Sequence, residues 1–298
     1  MPTHWEGIFC ALWTPTDENG AILEKTLKTN LEFVTSKAVQ GLLALGSTGE
    51  FLQLEVSARK DFLKKVLAWS GGLPVIANIS DIRPSVVAEL GRVAREHGAA
   101  AVAVLPPYFF PLAQADLAEF FVRAGEAAKL PLFLYNFPER TGNRIALETV
   151  AAVADRIQLA GVKQSGAEFA YHQPLVELGR RRSFVVFTGS DTRLPEAMAM
   201  GVNGCVSGLA NAVPEVMLEV FAGARRGPGS TQSRAAERMR QLGELVDRLE
   251  FPLNVAAVIE ARNLSPGHPK SVVSTETEQR YQKLKSEVRQ LFQEWRLI

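Results

Sequence analysis

Lys163 closes a short apolar run, Leu159-Ala160-Gly161-Val162-Lys163. A lysine at the carboxyl end of a buried strand holds its amine where water is partly excluded. Desolvation disfavours the ammonium, so such an amine can act as a nucleophile near neutral pH and attack a carbonyl carbon. The plainer reading is a lysine that leaves the strand for water, as most lysines do. Tyr135 also stands near the end of an apolar run, and a phenol there can shuttle a proton. In Gly46-Ser47-Thr48-Gly49-Glu50, two hydroxyls and the backbone amides can hold a carboxylate. The same residues also suit an ordinary helix cap made by Ser47 or Thr48. In Thr188-Gly189-Ser190-Asp191 the aspartate reads as a cap, and Pro106-Pro107-Tyr108-Phe109-Phe110-Pro111 reads as a stiff aromatic loop suited to packing or an interface.

These side chains need a scaffold that brings strand ends together. Eight apolar runs recur, at 8–13, 41–45, 74–79, 99–105, 131–136, 157–163, 184–188 and 204–209. Near-continuous apolarity, as in Ala99-Ala100-Ala101-Val102-Ala103-Val104-Leu105, is what strands covered on both faces require. The linking segments are amphipathic. Within 55–69, Ala58, Phe62, Val66 and Trp69 fall at helical spacing and leave Arg59, Lys60, Lys64 and Lys65 for water. Glycines 41, 98 and 204 precede strands, and Gly41 and Gly98 are placed to close the preceding helix as left-handed caps.

Strand and helix alternating in this way predict an α/β chain whose parallel sheet closes into a (β/α)8 barrel. An open doubly wound sheet would carry a glycine-rich phosphate turn after its first strand; the chain has Thr14-Pro15-Thr16-Asp17-Glu18-Asn19-Gly20 there. Barrel enzymes place their chemistry at the carboxyl ends of the strands, where Ser47, Tyr135, Lys163 and Gly189 fall. Residues 1–226 are assigned to the barrel and 227–298 to a small helical extension packed on it. Met239, Leu242, Leu245, Val246 and Leu249 form one helical stripe of that extension, and Tyr281, Leu284, Val288 and Leu291 another. Pro252 and Pro266-Gly267-His268-Pro269 break the segment between them, and Gly227-Pro228-Gly229-Ser230 reads as a loop.

At 298 residues the chain fits one barrel, and a hydrophobic content of 47% supplies a large core. A formal net charge of +1 gives no electrostatic reason to expect nucleic acid or an anionic membrane as partner. The start, Met1-Pro2-Thr3-His4-Trp5-Glu6-Gly7, lacks the layout of a secretion signal, and no stretch approaches a membrane span. Cys10 and Cys205 each lie in an apolar run and read as buried free thiols of a reducing compartment. A soluble, cytoplasmic protein is expected. The four histidines are scattered without ligand spacing, so no metal site is expected, and His97 sits at a helix end where the dipole favours it.

Three motifs in one order and at comparable spacing carry a resemblance: Gly46-Ser47-Thr48-Gly49-Glu50, Tyr135-Asn136-Phe137-Pro138 with Arg140-Thr141-Gly142, and Gly161-Val162-Lys163. Together with Thr14-Pro15 and the stretch around Gly204 to Asn211, they make the chain resemble the dihydrodipicolinate synthase / N-acetylneuraminate lyase family over essentially its whole length. The resemblance implies a metal-independent class I aldolase, without cofactor, that forms a Schiff base with pyruvate or another 2-oxo acid. It implies Lys163 as the Schiff-base lysine and Tyr135 as the acid/base phenol. By the same resemblance Ser47 and Thr48 hold the 2-oxo acid carboxylate, Gly189 and Val206 line the pyruvate pocket, and Arg140 receives a second substrate's carboxylate. A homo-oligomer, tetramer or dimer, follows from the resemblance alone.

The sequence also departs from the family pattern. Many members carry a second tyrosine after Pro-Tyr, lent across a subunit interface to a relay of hydroxyls; this chain has Phe109, beside Tyr108. Ile82 stands where lysine-inhibited synthases offer a polar group. These differences favour a 2-keto-3-deoxy or 4-hydroxy-2-oxo acid aldolase that takes a 2-oxo acid and an aldehyde. Alternatives are a 4-hydroxy-tetrahydrodipicolinate synthase, supported by Arg140, a family dehydratase, and a catalytically silent 2-oxo acid sensor. A phosphate-binding barrel enzyme would need a glycine-rich cup after strands seven and eight, which Thr188-Gly189-Ser190-Asp191 and Ser207-Gly208 match poorly.

Overall fold

The apolar runs form parallel strands because each is buried on both faces, one toward the barrel axis and one toward a helix. The computed structural model describes residues 4–226 and 234–298. The strands are β1 (Gly7–Ala11), β2 (Gly41–Ala44), β3 (Val75–Asn78), β4 (Ala101–Val104), β5 (Leu132–Asn136), β6 (Leu159–Gln164), β7 (Val185–Thr188) and β8 (Gly204–Ser207). They pair in sequence order, and β8 returns to β1 through Phe9 opposite Val206, which closes the barrel. Between and after them run α1 (Glu24–Thr35), α2 (Val56–Trp69), α3 (Pro84–Glu96), α4 (Gln114–Ala128), α5 (Pro138–Thr141), α6 (Leu147–Ala154), α7 (His172–Arg182), α8 (Leu194–Met200) and α9 (Pro214–Arg225). The extension supplies α10 (Arg234–Val246), α11 (Leu253–Ala261) and α12 (Thr275–Glu294).

Phe9, Leu43, Ile76, Phe133, Phe187 and Val206 fill the barrel interior. Trp5 meets Phe133 edge-on, centroids 5.0 Å apart, on the side where the strands begin. Alternation along β5 then decides the other end. Phe133 faces in, so Tyr135, two residues further on, faces in as well. Its register partner on β6 is Lys163. Strand pairing alone therefore sets phenol and amine side by side at the carboxyl-terminal mouth.

The extension is continuous with the barrel's outer layer. Met239, Leu242, Val246, Tyr281, Leu284 and Val288 join the same apolar cluster as the barrel helices, and Leu245 and Leu291 pack against it partly buried. Ser274 caps α12 by accepting from the Thr277 N–H at 3.1 Å. The Gly227-Pro228-Gly229-Ser230 run lies outside the described residues. None of the helices among the described residues is long and apolar enough to cross a membrane.

Two local expectations are corrected. Gly98 has φ +86° and follows α3 as a left-handed residue, but Gly41 does not; the left-handed turn after α1 is made by Ala38, φ 59°. A Cβ on Gly41 would lie 2.2 Å from the Phe9 ring, so this glycine serves close strand approach instead. Arg59 does not face water. It is 4% exposed and reaches inward to Asp81 at 2.6 Å and to the Ser80 carbonyl at 3.0 Å. The loop after β3 supplies a buried carboxylate beneath α2, a partner that helical spacing cannot reveal.

Candidate active site

At the carboxyl ends of the strands, a cavity of about 270 Å³ is lined by Thr48, Tyr135, Arg140, Lys163, Gly189 and Val206. Lys163 is 6% exposed. Its Nζ lies 3.8 Å from the centroid of the Tyr135 ring and donates to Ser165 Oγ at 3.0 Å. Tyr135 is 2% exposed, and its hydroxyl is 3.1 Å from Ser47 Oγ. Ser47 itself opens onto an adjoining cavity that it shares with Glu50, Arg140 and Phe251. Thr48 is buried in the turn Ser47–Gly49 that follows β2. The structure thus brings the amine, the phenol and both hydroxyls of the turn to one mouth.

Gly189 has a clear steric reason to be glycine. A Cβ there would stand 2.1 Å from Ser165 Oγ and 3.2 Å from Lys163 Nζ, within the space of the amine and its partner. Arg140 is exposed at the rim, on the single helical turn α5. Its guanidinium carbon lies 5.8 Å from the Phe137 ring and 5.7 Å from the Phe251 ring. It has no carboxylate partner among the described residues, so its charge is free for an anionic group. The extension completes the wall with Asp247, Phe251 and Asn254.

Ser165 and Asp191 line the same cavity, and neither carries a signal in the sequence that marks it as a site residue. Asp191 does not cap its own helix. Its carboxylate accepts from the Leu209 N–H at 3.2 Å, in the turn that follows β8, and from Cys205 Sγ at 3.5 Å, within β8. Burial pushes this carboxyl above the usual range, opposed by hydrogen bonds from Ser207, Leu209 and Cys205 and by the Lys163 charge. Cys10 and Cys205 are both buried and free, and burial followed by the Asp191 charge pushes both thiols well up.

Tyr108 and Phe109 are not brought to the cavity of their own chain. Tyr108 is half-buried beside the loop after β3; burial, then the Asp81 charge, push its phenol upward. Phe109 is 85% exposed at φ 83°, edge-on to Phe110 with centroids 4.8 Å apart. An aromatic residue held at positive φ with its ring in water is an uncommon arrangement.

A parallel barrel with a buried amine among hydrogen-bonding side chains at its carboxyl-terminal mouth is that of an enzyme acting on a small carbonyl compound. Comparison with known proteins narrows this class. The model of the dihydrodipicolinate synthetase family matches residues 4–291, and the chain belongs to that family of lyases and aldolases. A 4-hydroxy-tetrahydrodipicolinate synthase of Ectopseudomonas mendocina is 30% identical over 237 residues, 79% of this chain and 81% of the relative. The Escherichia coli K12 protein named "Probable 2-dehydro-3-deoxy-D-pentonate aldolase YjhH" is 26% identical over 242 residues, 80% of each chain. Among solved structures, YagE of E. coli K12, a prophage protein of this family in complex with pyruvate, superposes with a TM-score of 0.88 at 25% identity, covering 96% of this chain and 98% of its own. The chain is accordingly a lyase or aldolase in type.

Proposed function

We propose that the chain joins pyruvate, or a related 2-oxo acid, reversibly to an aldehyde through a Schiff base on Lys163, acting as a 2-keto-3-deoxy or 4-hydroxy-2-oxo acid aldolase. The observation that carries this reading is the Lys163 amine, buried against the Tyr135 ring and bonded to Ser165 in the cavity that also holds Thr48. In the forward direction the amine adds to the ketone and loses water, giving an iminium. The iminium draws electrons from the adjacent carbon, which sheds a proton and attacks the aldehyde; water then releases the 4-hydroxy-2-oxo acid and restores the amine. Tyr135 is assigned the proton movements, with its hydroxyl against Ser47. Ser47 and Thr48 are assigned the carboxylate, whose charge needs fixed donors. Gly189 leaves the room for the adduct, and Val206 gives it an apolar wall.

Phe109 supports an aldolase over a synthase, because a phenyl ring cannot carry a relay proton. The name of the E. coli relative YjhH supports the same choice. A second reading, 4-hydroxy-tetrahydrodipicolinate synthase, is favoured by Arg140 at the rim, which has no carboxylate partner among the described residues, and by the name of the Ectopseudomonas relative. The exposed Phe109–Phe110 pair supports assembly into a homo-oligomer, and the buried free thiols support a cytoplasmic location. The test is a panel of aldehydes incubated with pyruvate and purified protein, read by product mass. Condensation with neutral hydroxyaldehydes is expected. Turnover of aspartate semialdehyde alone would replace the first reading with the second, and no product from any aldehyde would leave a silent binder.

A further inference from the structure

The turn that holds Ser47 and Thr48 is closed by Glu50, whose N–H donates to the Ser47 carbonyl at 3.1 Å. Glu50 adopts left-handed backbone angles, φ 53° and ψ 42°. A residue with a side chain at those angles carries a backbone cost. A contact from the far end of the chain reaches it. Lys270 Nζ donates to Glu50 Oε2 at 2.8 Å, with the lysine side chain 2% exposed and the glutamate side chain 12%. The same amine stands 4.6 Å from the centroid of the Trp13 ring.

Lys270 is delivered by a strap with its own anchors. Trp13 Nε1 donates to the Pro266 carbonyl at 2.7 Å, and the His268 N–H donates to the Thr16 carbonyl at 2.7 Å. Just beyond, Gln53 Nε2 donates to Ser271 Oγ at 3.2 Å. The strap is therefore fixed to the loop after β1 and to the residues following Glu50, independently of Ser47 and Thr48. A buried ion pair is a weak device for stability, because apolar residues of the same volume often serve as well. The directional Lys270–Glu50 bond joins the strap to the turn at one defined point.

We propose that Lys270 is a positioning residue for the carboxylate end of the site: it holds Glu50, and Glu50 sets the turn from which the Ser47 and Thr48 hydroxyls project. This rests on the Schiff-base reading above.

Lys270→Met keeps an apolar stem and removes the charge, leaving Glu50 buried without its partner. Wild-type and variant proteins are incubated with graded pyruvate, reduced with borohydride, and the adduct is read by intact mass. The half-saturating pyruvate concentration is expected to rise about tenfold or more in Lys270→Met and to stay within about threefold of wild type in Lys270→Arg. Trapping of hydroxyacetone, which replaces the carboxylate by a hydroxymethyl group, is expected to be unchanged in both. Glu50→Gln is expected to reproduce Lys270→Met, and the double variant to add nothing. An unchanged pyruvate dependence in Lys270→Met, or equal losses with pyruvate and hydroxyacetone, overturns the proposal. Should Lys270→Met fail to fold by circular dichroism, Glu50→Gln carries the comparison, and a wild-type response there overturns it. A wild-type protein that forms no adduct removes the Schiff-base reading itself and this inference with it.

Discussion

Lys163 Nζ donates to Ser165 Oγ at 3.0 Å, a bond between residues two apart at the end of one strand. The spacing puts both side chains on the face turned toward the barrel axis. Ser165 thus aims the amine, and Gly189 keeps the space around the pair open. A typical intramolecular hydrogen bond contributes about 0.5–1.5 kcal/mol. Ser165→Ala should therefore slow adduct formation with pyruvate by roughly twofold to tenfold. Gly189→Ala should cost more, because its Cβ would collide with Ser165 Oγ. Pre-steady-state trapping measures both, and wild-type rates in either variant would remove the aiming role.

Tyr135→Phe removes the hydroxyl and keeps the ring against the Lys163 amine. Turnover should fall by roughly 10²–10⁴ while pyruvate binding stays measurable by calorimetry. Loss of binding in step with turnover would make Tyr135 a structural support.

Arg140 distinguishes the two readings of the aldehyde. Its guanidinium has no carboxylate partner among the described residues and reaches the rim between Phe137 and Phe251. Arg140→Ala should raise KM about tenfold or more for an anionic aldehyde and leave a neutral hydroxyaldehyde nearly unaffected. A uniform change across both substrates would point to a role in shaping the loop.

Asp81 makes stability depend on pH. Burial alone would raise its carboxyl, but hydrogen bonds from Arg83 and Arg59 reverse that and hold it at about 2. A carboxyl depressed in the folded state stabilises above its unfolded value, near 4, and loses that contribution as pH falls through the folded value. The contribution is about 2 kcal/mol, present in full above roughly pH 5 and lost toward pH 2. Thermal midpoints between pH 5 and pH 2 should fall more steeply for the wild type than for Asp81→Asn. Parallel curves would show that other carboxyls govern the acid limb.

The barrel was legible because its strands are buried on both faces, so that 99–105 and 131–135 read as near-continuous apolar runs. The lysine and tyrosine were legible because each stands at or near the end of such a run. What stayed hidden depends on contacts across the chain. Ser165 is an unremarkable serine until Lys163 turns toward it, and Asp191 passes for a helix cap until Leu209 and Cys205 fold against it. Arg59 reads as a surface charge because Asp81 is supplied by another loop. In the helix Leu253–Ala261 only Asn254 and Glu260 are polar, and the short apolar run 255–259 between them is too brief to carry a helical periodicity.

The central claim is a covalent bond between Lys163 and a keto acid. Borohydride reduction of the protein with pyruvate, followed by peptide mapping, tests it directly. One reduced pyruvyl adduct on Lys163 is predicted, with both adduct and turnover absent in Lys163→Ala. An unmodified Lys163 at saturating pyruvate, or a Lys163→Ala protein that still turns over, would contradict the account.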